Sequence, residues 1–254
     1  MQITFLGTGA ADWKEEDWAK DGFSRRLTCA AVDADLLIDC GPTLFASAEK
    51  ADFSTDEVKF VLSTHLHRDH FNLDTLARLS QSKEITFICP ASAAYAVEGL
   101  PQIKVIPLEL FRETAVGDYL ITAIPSSHVV AYHHTSQPVH YVIKKDGKTL
   151  FWGCDGCWIS CAAWQYVRNC RFDMAVFDST FGDYHDIEYL FEHNNTQMVE
   201  SLVTVLRAQK VLTEDTLVFA NHIARICNSP HEELVERYGK SNIRVTYDGL
   251  KVTL

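Results

Sequence analysis

The sequence predicts an α/β protein in which two β-sheets pack together with helices on their outer sides. Three observations carry this. Apolar strand-like runs alternate with helix-periodic runs in both halves of the chain, the signature of βα units. Hairpin signals are interspersed among them, the strongest being Asp146-Gly147. No repeat, low-complexity segment or Gly/Ser linker interrupts the 254 residues, so 1–254 reads as a single domain.

Residues 2–6 form the first strand and run into Gly7-Thr8-Gly9. No helical pattern follows this Gly-x-Gly, so it reads as a tight turn with close backbone approach and not as a nucleotide loop. Residues 11–25 are charged and irregular, a loop over the mouth of a site. Trp13 and Trp18 there either wall the substrate or cover the edge of the core. Residues 27–32 and 35–39 read as a hairpin turning at Asp33-Ala34. Cys40-Gly41-Pro42 breaks it before a helix over 43–50. A buried strand at 58–63 and a helix over 71–79 follow. Then come a strand at 85–89, a helix near 91–98, and strands at 103–106, 118–124, 139–144 and 149–153. Helices at 158–168 and 195–209 enclose a strand at 174–177. A strand at 216–220, a helix at 231–238 and strands at 243–246 and 250–253 complete the chain. Each half is expected to supply its own sheet.

No apolar run approaches the roughly 20 residues of a membrane helix. The start of the chain lacks a basic n-region and signal core, which predicts a cytoplasmic protein. Eight cysteines are dispersed, with Cys29, Cys40 and Cys89 inside apolar segments, as buried reduced thiols would be. The net charge of −11 disfavours nonspecific binding to a nucleic-acid backbone.

Chemistry concentrates between the strand at 58–63 and the helix at 71–79, in Thr64-His65-Leu66-His67-Arg68-Asp69-His70. Imidazoles and a carboxylate suit zinc, manganese or iron. Four such groups in six residues cannot wrap one tetrahedral ion without strain. Two neighbouring ions, each taking two of the four, are the easier geometry. The position after a buried strand is where α/β proteins place ligand sites, unlike an incidental His-rich turn. Three further strands end in candidate ligands: His128 after 121–125, Asp155 after 150–153 and His222 after 217–220. His133 and His134 compete with His128 but lie in a polar loop, where they would line the pocket. His140 reads as structural, and His185 and His231 as surface or loop residues. Asp39, closing an apolar strand, either orients a ligand histidine or caps the next helix. Cys154 and Cys157 read as packing groups, although a Cys-x-x-Cys pair can bind metal or cycle redox state.

At these residues the sequence resembles the metallo-β-lactamase superfamily. His65-x-His67-x-Asp69-His70, followed in order by a His, an Asp and a His, carries the resemblance, with the Leu37–Gly41 and Thr4–Gly9 segments beside it. The branch it is most similar to contains the cyclic-phosphate hydrolase of phosphonate breakdown and the tRNA 3′-processing endonucleases. Arg25-Arg26, His193-Asn194-Asn195-Thr196 and Asn221-His222-Ile223-Ala224-Arg225 are the supporting segments. The resemblance implies a four-layer αβ/βα sandwich with two divalent ions, zinc or manganese, with iron as a further candidate. It places His65, His67 and His128 on one ion, Asp69, His70 and His222 on the other, and Asp155 between them. A hydroxide bridging the ions would attack the substrate, with Asp69 hydrogen-bonded to it. His193 would contact phosphate or protonate the leaving oxygen; a helix-start cap is the alternative.

The expected function is therefore metal-dependent phosphodiester hydrolysis of a small cyclic phosphate or nucleotide. Arg25, Arg26 and Arg225 would be phosphate contacts or ordinary surface residues. A tRNA nuclease is disfavoured because no basic Gly-rich arm is present. Lactone, thioester or ester hydrolysis by the same ions and a non-catalytic binding module remain the other readings. The expected partner is a small phosphate-containing molecule, with neither membrane nor nucleic acid. A homodimer is compatible with the sequence.

Overall fold

A computed structural model of the chain describes residues 1–14, 23–130, 136–184 and 191–254. Trp18, His133, His134 and His185 lie outside the described residues. The first half runs β1 (Gln2–Gly7), β2 (Cys29–Val32), β3 (Leu36–Ile38), α1 (Leu44–Lys50), β4 (Phe60–Leu62) and α2 (Leu73–Leu79). It continues with β5 (Ile85–Pro90), a 3-10 helix (Ala91–Val97) and β6 (Ile103–Leu108). The second half runs β7 (Glu113–Val116), β8 (Tyr119–Pro125), β9 (Val139–Lys145), β10 (Lys148–Gly153), α3 (Cys161–Val167) and β11 (Met174–Asp178). It ends with α4 (Thr196–Ala208), β12 (Leu217–Asn221), α5 (His231–Gly239), β13 (Arg244–Val245) and β14 (Lys251–Thr253).

These strands form two seven-stranded sheets, ordered β14-β1-β2-β3-β4-β5-β6 and β13-β12-β11-β10-β9-β8-β7. Period-two alternation assigns each side chain its layer. Ile3, Phe5, Leu36 and Ile38 of the first sheet meet Ile121, Tyr141, Leu150, Trp152 and Val176 of the second in the central core. The alternate residues Leu6, Leu37, Val61 and Phe87 pack outward on α1, α2 and the 3-10 helix. Phe151, Ala175, Phe177 and Val218 pack outward on α3, α4 and α5. Strands apolar on both faces are what two covered sheets require. The result is the four-layer αβ/βα sandwich. Among the described residues no helix is long and apolar enough to cross a membrane.

Local chemistry sets the element ends. Asn72 caps α2 by accepting from the Thr75 N–H at 2.9 Å, Ser160 caps α3, and Asn195 caps α4 through the Met198 N–H. The Ser160 cap is why α3 starts at Cys161 and not at 158. Asp146 and Gly147 both have positive φ, the two-residue turn that joins β9 to β10. Gly7 does provide a close approach: a Cβ there would lie 2.0 Å from the Leu27 carbonyl oxygen.

Three expectations change. β7 was not foreseen, because Glu113-Thr114-Ala115-Val116 is an edge strand with one buried residue. Residues 91–97 form 3-10 turns in place of an α-helix, with only Ala93 and Val97 buried. The halves do not each keep their own strands. β14 returns to the first sheet and pairs antiparallel with β1, Gln2 opposite Thr253.

Candidate metal centre

The two sheets open at one edge, where the strands β4, β8, β10, β11 and β12 all end. The loop after β4 must double back against the β3 end. Gly41 permits this, since a Cβ there would sit 2.0 Å from the Asp69 carbonyl oxygen. The Cys40 N–H donates to His70 O and the Asn72 N–H to Cys40 O, which pins the loop. Asp39 and His222 both take left-handed backbone angles, φ 65° and 58°, at a cost of about 1–2 kcal/mol each.

His65, His67, Asp69, His70, His128, Asp155 and His222 are brought together by these strand ends. His67 Nδ1 lies 3.0 Å from His65 Nε2 and 3.1 Å from His128 Nε2. His70 Nε2 lies 3.1 Å from His222 Nε2, and Asp69 Oδ2 is 3.5 and 3.7 Å from that pair. Asp155 Oδ2 stands between the groups, 3.8 Å from His65, 3.5 Å from His128, 3.7 Å from His70 and 3.5 Å from His222.

In four of the five rings the opposite nitrogen is engaged. The Thr64 hydroxyl donates to Asp39 and faces His65 Nδ1 at 2.9 Å. His70 Nδ1–H donates to Asp39 Oδ2 at 2.7 Å, so Asp39 orients a histidine. His128 Nδ1–H donates to the Glu192 carbonyl at 3.2 Å, and His222 Nδ1–H to Thr180 Oγ1 at 2.7 Å. In the neutral ring each of these four partners favours the tautomer with a bare Nε2 lone pair. With both rings neutral, the Nε2 lone pairs of His70 and His222 therefore face each other at 3.1 Å. That arrangement is repulsive by itself and fits a cation. Nitrogens on a tetrahedral ion with bonds of about 2.0–2.1 Å are separated by roughly 3.3 Å.

Electrostatics divide the cluster. Burial, then neighbouring His70 and His128, hold His65 well below the usual imidazole range, and burial with His128 lowers His67 to about 4. These rings are neutral and ready to ligate. On the other side burial opposes protonation of His70, yet Asp69 and Asp39 carry its pKa upward. Burial would raise the Asp155 carboxyl, but His128, His193 and His222 hold it well down.

His193 lies beside this cluster, its Nδ1 2.7 Å from Asp155 Oδ1 and 3.0 Å from Asp178 Oδ2. Burial would lower its pKa, but Asp155 and Asp178 outweigh it and push it up to about 10. Asp178, Asp155, His193 and His222 also stand close enough to suggest a cation between them. Asp178 is not a free ligand, however. It accepts from the N–H groups of Thr180 and Asn194, the Thr180 hydroxyl and His193. Sequence reasoning missed it because the strand was read as ending at 177. An acid closing a buried strand, the same signal that marked Asp39, would have found it.

Other residues stand apart from this centre or behind it. Arg25 is not at this centre. It is 1% exposed and its guanidinium donates to Thr8 Oγ1, Thr246 O and His231 Nδ1. Arg26 pairs with Asp248 through its N–H and, at 3.9 Å, its guanidinium. Trp13 donates its indole N–H to Ile223 O and lines the neighbouring cavity with Arg25 and Arg225. His231 is no loose surface residue, because it starts α5 and stacks on Phe23 at 3.9 Å. His140 is buried with Nε2 3.3 Å from the Asp155 carbonyl, a supporting position. All eight cysteines are free; Cys154 is in the central core.

The open side of the centre is a cavity of about 300 Å³ lined by His67, Asp69, His128, Asp155, His193 and His222, together with Asp12, Phe181, Glu192 and Ile226.

Comparison with known proteins agrees with this architecture. The beta-lactamase superfamily domain matches residues 35–213. The anti-Pycsar protein Apyc1 of a Paenibacillus species is 37% identical over 70 residues, 28% of this chain. The match spans only 26% of that protein's length. Zn(2+)-bound PqqB from Methylobacterium extorquens superposes with a TM-score of 0.76 at 15% identity, covering 100% of both chains. A diphosphatase of the PhnP family gives 0.73 at 17% identity over 99% of this chain and 96% of its own.

Proposed function

Because this chain belongs to the beta-lactamase superfamily of metal-dependent hydrolases, we propose that it hydrolyses a small phosphodiester, a cyclic phosphate or a nucleotide, with two divalent ions. In this reading His65, His67 and His128 hold one ion, Asp69, His70 and His222 the other, and Asp155 serves both. The observation that carries it is the place of Asp155 Oδ2, 3.5–3.8 Å from two imidazoles of each set. When bound, such a pair lowers the pKa of water between the ions and offsets charge on the entering and leaving oxygens.

The chain's own residues do the rest. Asp39, Thr64, Thr180 and the Glu192 carbonyl fix the ligand rings, so no reorientation is needed during reaction. Asp69 supplies a carboxylate at the cavity wall to hold the attacking group. His193 keeps a proton near neutral pH because Asp155 and Asp178 face it, and Nε2 is the ring atom left to deliver that proton to a leaving oxygen. The PhnP-family diphosphatase among the structural neighbours supports phosphate chemistry.

The test combines metal analysis with a substrate panel of bis-p-nitrophenyl phosphate, 2′,3′-cyclic nucleotides, a lactone and a lactam, each with zinc or manganese. Two ions per chain and turnover confined to phosphodiesters are expected. Lactone turnover without diester turnover would reject the reading. His193→Ala should lose about 10²–10⁴-fold on cyclic nucleotides, whose leaving group needs a proton, and much less on nitrophenyl esters. Equal losses on both would remove His193 from the acid role.

A further inference from the structure

We propose that Glu192 makes the active-site cavity selective for singly charged substrates, so that diesters enter and phosphate dianions are turned away. This rests on the phosphodiesterase reading above and adds to it a residue that sets specificity.

Charge is unevenly distributed in the cavity wall. Among the described lining residues it has four carboxylates and no lysine or arginine. Three of the four are already committed. Asp69 and Asp155 face the imidazoles, and Asp12 accepts from the N–H groups of Arg225 and Ile226. Glu192 is the one left over. Its carbonyl is held by His128 Nδ1–H at 3.2 Å, and it directly precedes His193, so its backbone is anchored to the centre. Among the described residues its carboxylate has no hydrogen bond or ion pair. Arg25 and Arg225 line the neighbouring cavity beyond Ala224.

The consequence follows from Coulomb's law. A diester monoanion is matched by the cationic centre. His193, the protonated ring in the wall, is already paired with Asp155 and Asp178 at 2.7 and 3.0 Å, so a second negative charge on the substrate meets the Glu192 carboxylate in a partly desolvated pocket. Discrimination then comes from repulsion of the wrong ligand. A like unit charge across a partly hydrated pocket is worth on the order of tenfold in affinity. The same repulsion would help expel the phosphomonoester that diester hydrolysis generates.

The experiment compares methyl p-nitrophenyl phosphate with p-nitrophenyl phosphate at pH 7.5, substrates alike in shape but differing by one charge. Wild type, Glu192→Gln and Glu192→Lys are assayed as metal-loaded proteins of equal metal content. The diester-to-monoester ratio of kcat/KM should fall about tenfold in E192Q and further in E192K. Calorimetric Kd for phenyl phosphate should tighten in the same order, with the effect shrinking at high salt. Ratios and Kd values within twofold of wild type in both variants would overturn the proposal. If the wild type cleaves no diester, the phosphodiesterase reading fails, and the calorimetric series still decides the role of Glu192.

Discussion

Two cavities meet at Ala224, and they are built in opposite ways. On one side, in about 300 Å³, imidazole nitrogens converge at 3.0–3.1 Å and Asp155 sits among four of the rings. On the other side, in about 420 Å³, Arg25 is just as buried but its donors end on Thr8, Thr246 and His231. The larger cavity is the quieter one. Polar groups that satisfy each other hold a structure together, whereas polar groups that converge without satisfying each other await a ligand. Substitutions should therefore separate cleanly: one side loses activity and metal, the other loses stability.

The largest effect belongs to Asp155→Ala. It removes the one carboxylate that faces both halves of the cluster, so turnover should fall at least about a thousandfold, well beyond the 10–100-fold of an outer-sphere change. Metal content measured by plasma emission should drop with it, while the melting curve of the metal-free protein stays near wild type. Turnover retained in Asp155→Ala would dissolve the contrast between the cavities.

Arg25→Ala is the converse. Removing a buried cation leaves Thr8 Oγ1, the Thr246 carbonyl and His231 Nδ1 without their donor. The loss should be about 3–5 kcal/mol in urea unfolding, with kcat/KM unchanged in the protein that remains folded. A selective loss of phosphodiester turnover would restore Arg25 as a phosphate contact.

Asp39→Asn falls between the two. It keeps the hydrogen bond to Thr64 but weakens the anionic grip on His70 Nδ1–H. Metal affinity should decline about 10–100-fold with little change in stability at saturating metal. Titration with a fluorescent zinc competitor measures it, and unaltered affinity would reduce Asp39 to a loop tether.

These residues also show what the sequence makes legible. Strands apolar throughout, such as Met174–Asp178 and Leu217–Asn221, announce a doubly covered sheet, and a polar residue at their end announces an edge with chemistry. That logic locates His128, Asp155 and His222 at the shared edge. It fails where a role depends on what lies opposite in space. Arg25 and His231 meet 206 positions apart, and no local pattern says that one will saturate the other. Asp178 shows itself as an acid closing a buried strand, but its contact with His193, 15 positions on, is not encoded locally. β14 pairs with β1 across the whole chain, a closure that the three residues of the strand do not encode.

The smallest effect is at His231, and its sign is opposite to the intuition that histidines stabilise when charged. Burial, then Arg25, lower its pKa below 6.5, because Nδ1 must stay bare to accept from Arg25. A folded-state pKa below the unfolded one means that the unfolded chain binds more protons. The contribution is complete above about pH 6.5 and is lost as pH falls through that value. His231→Asn offers an oxygen where Nδ1 stood and does not titrate. Between pH 7.5 and 5.5 the thermal midpoint of the wild type should therefore fall further than that of His231→Asn, with activity ratios between the two constant. Parallel curves would mean that the Arg25 contact does not depend on a neutral ring, and that the quiet cavity tolerates two cations side by side.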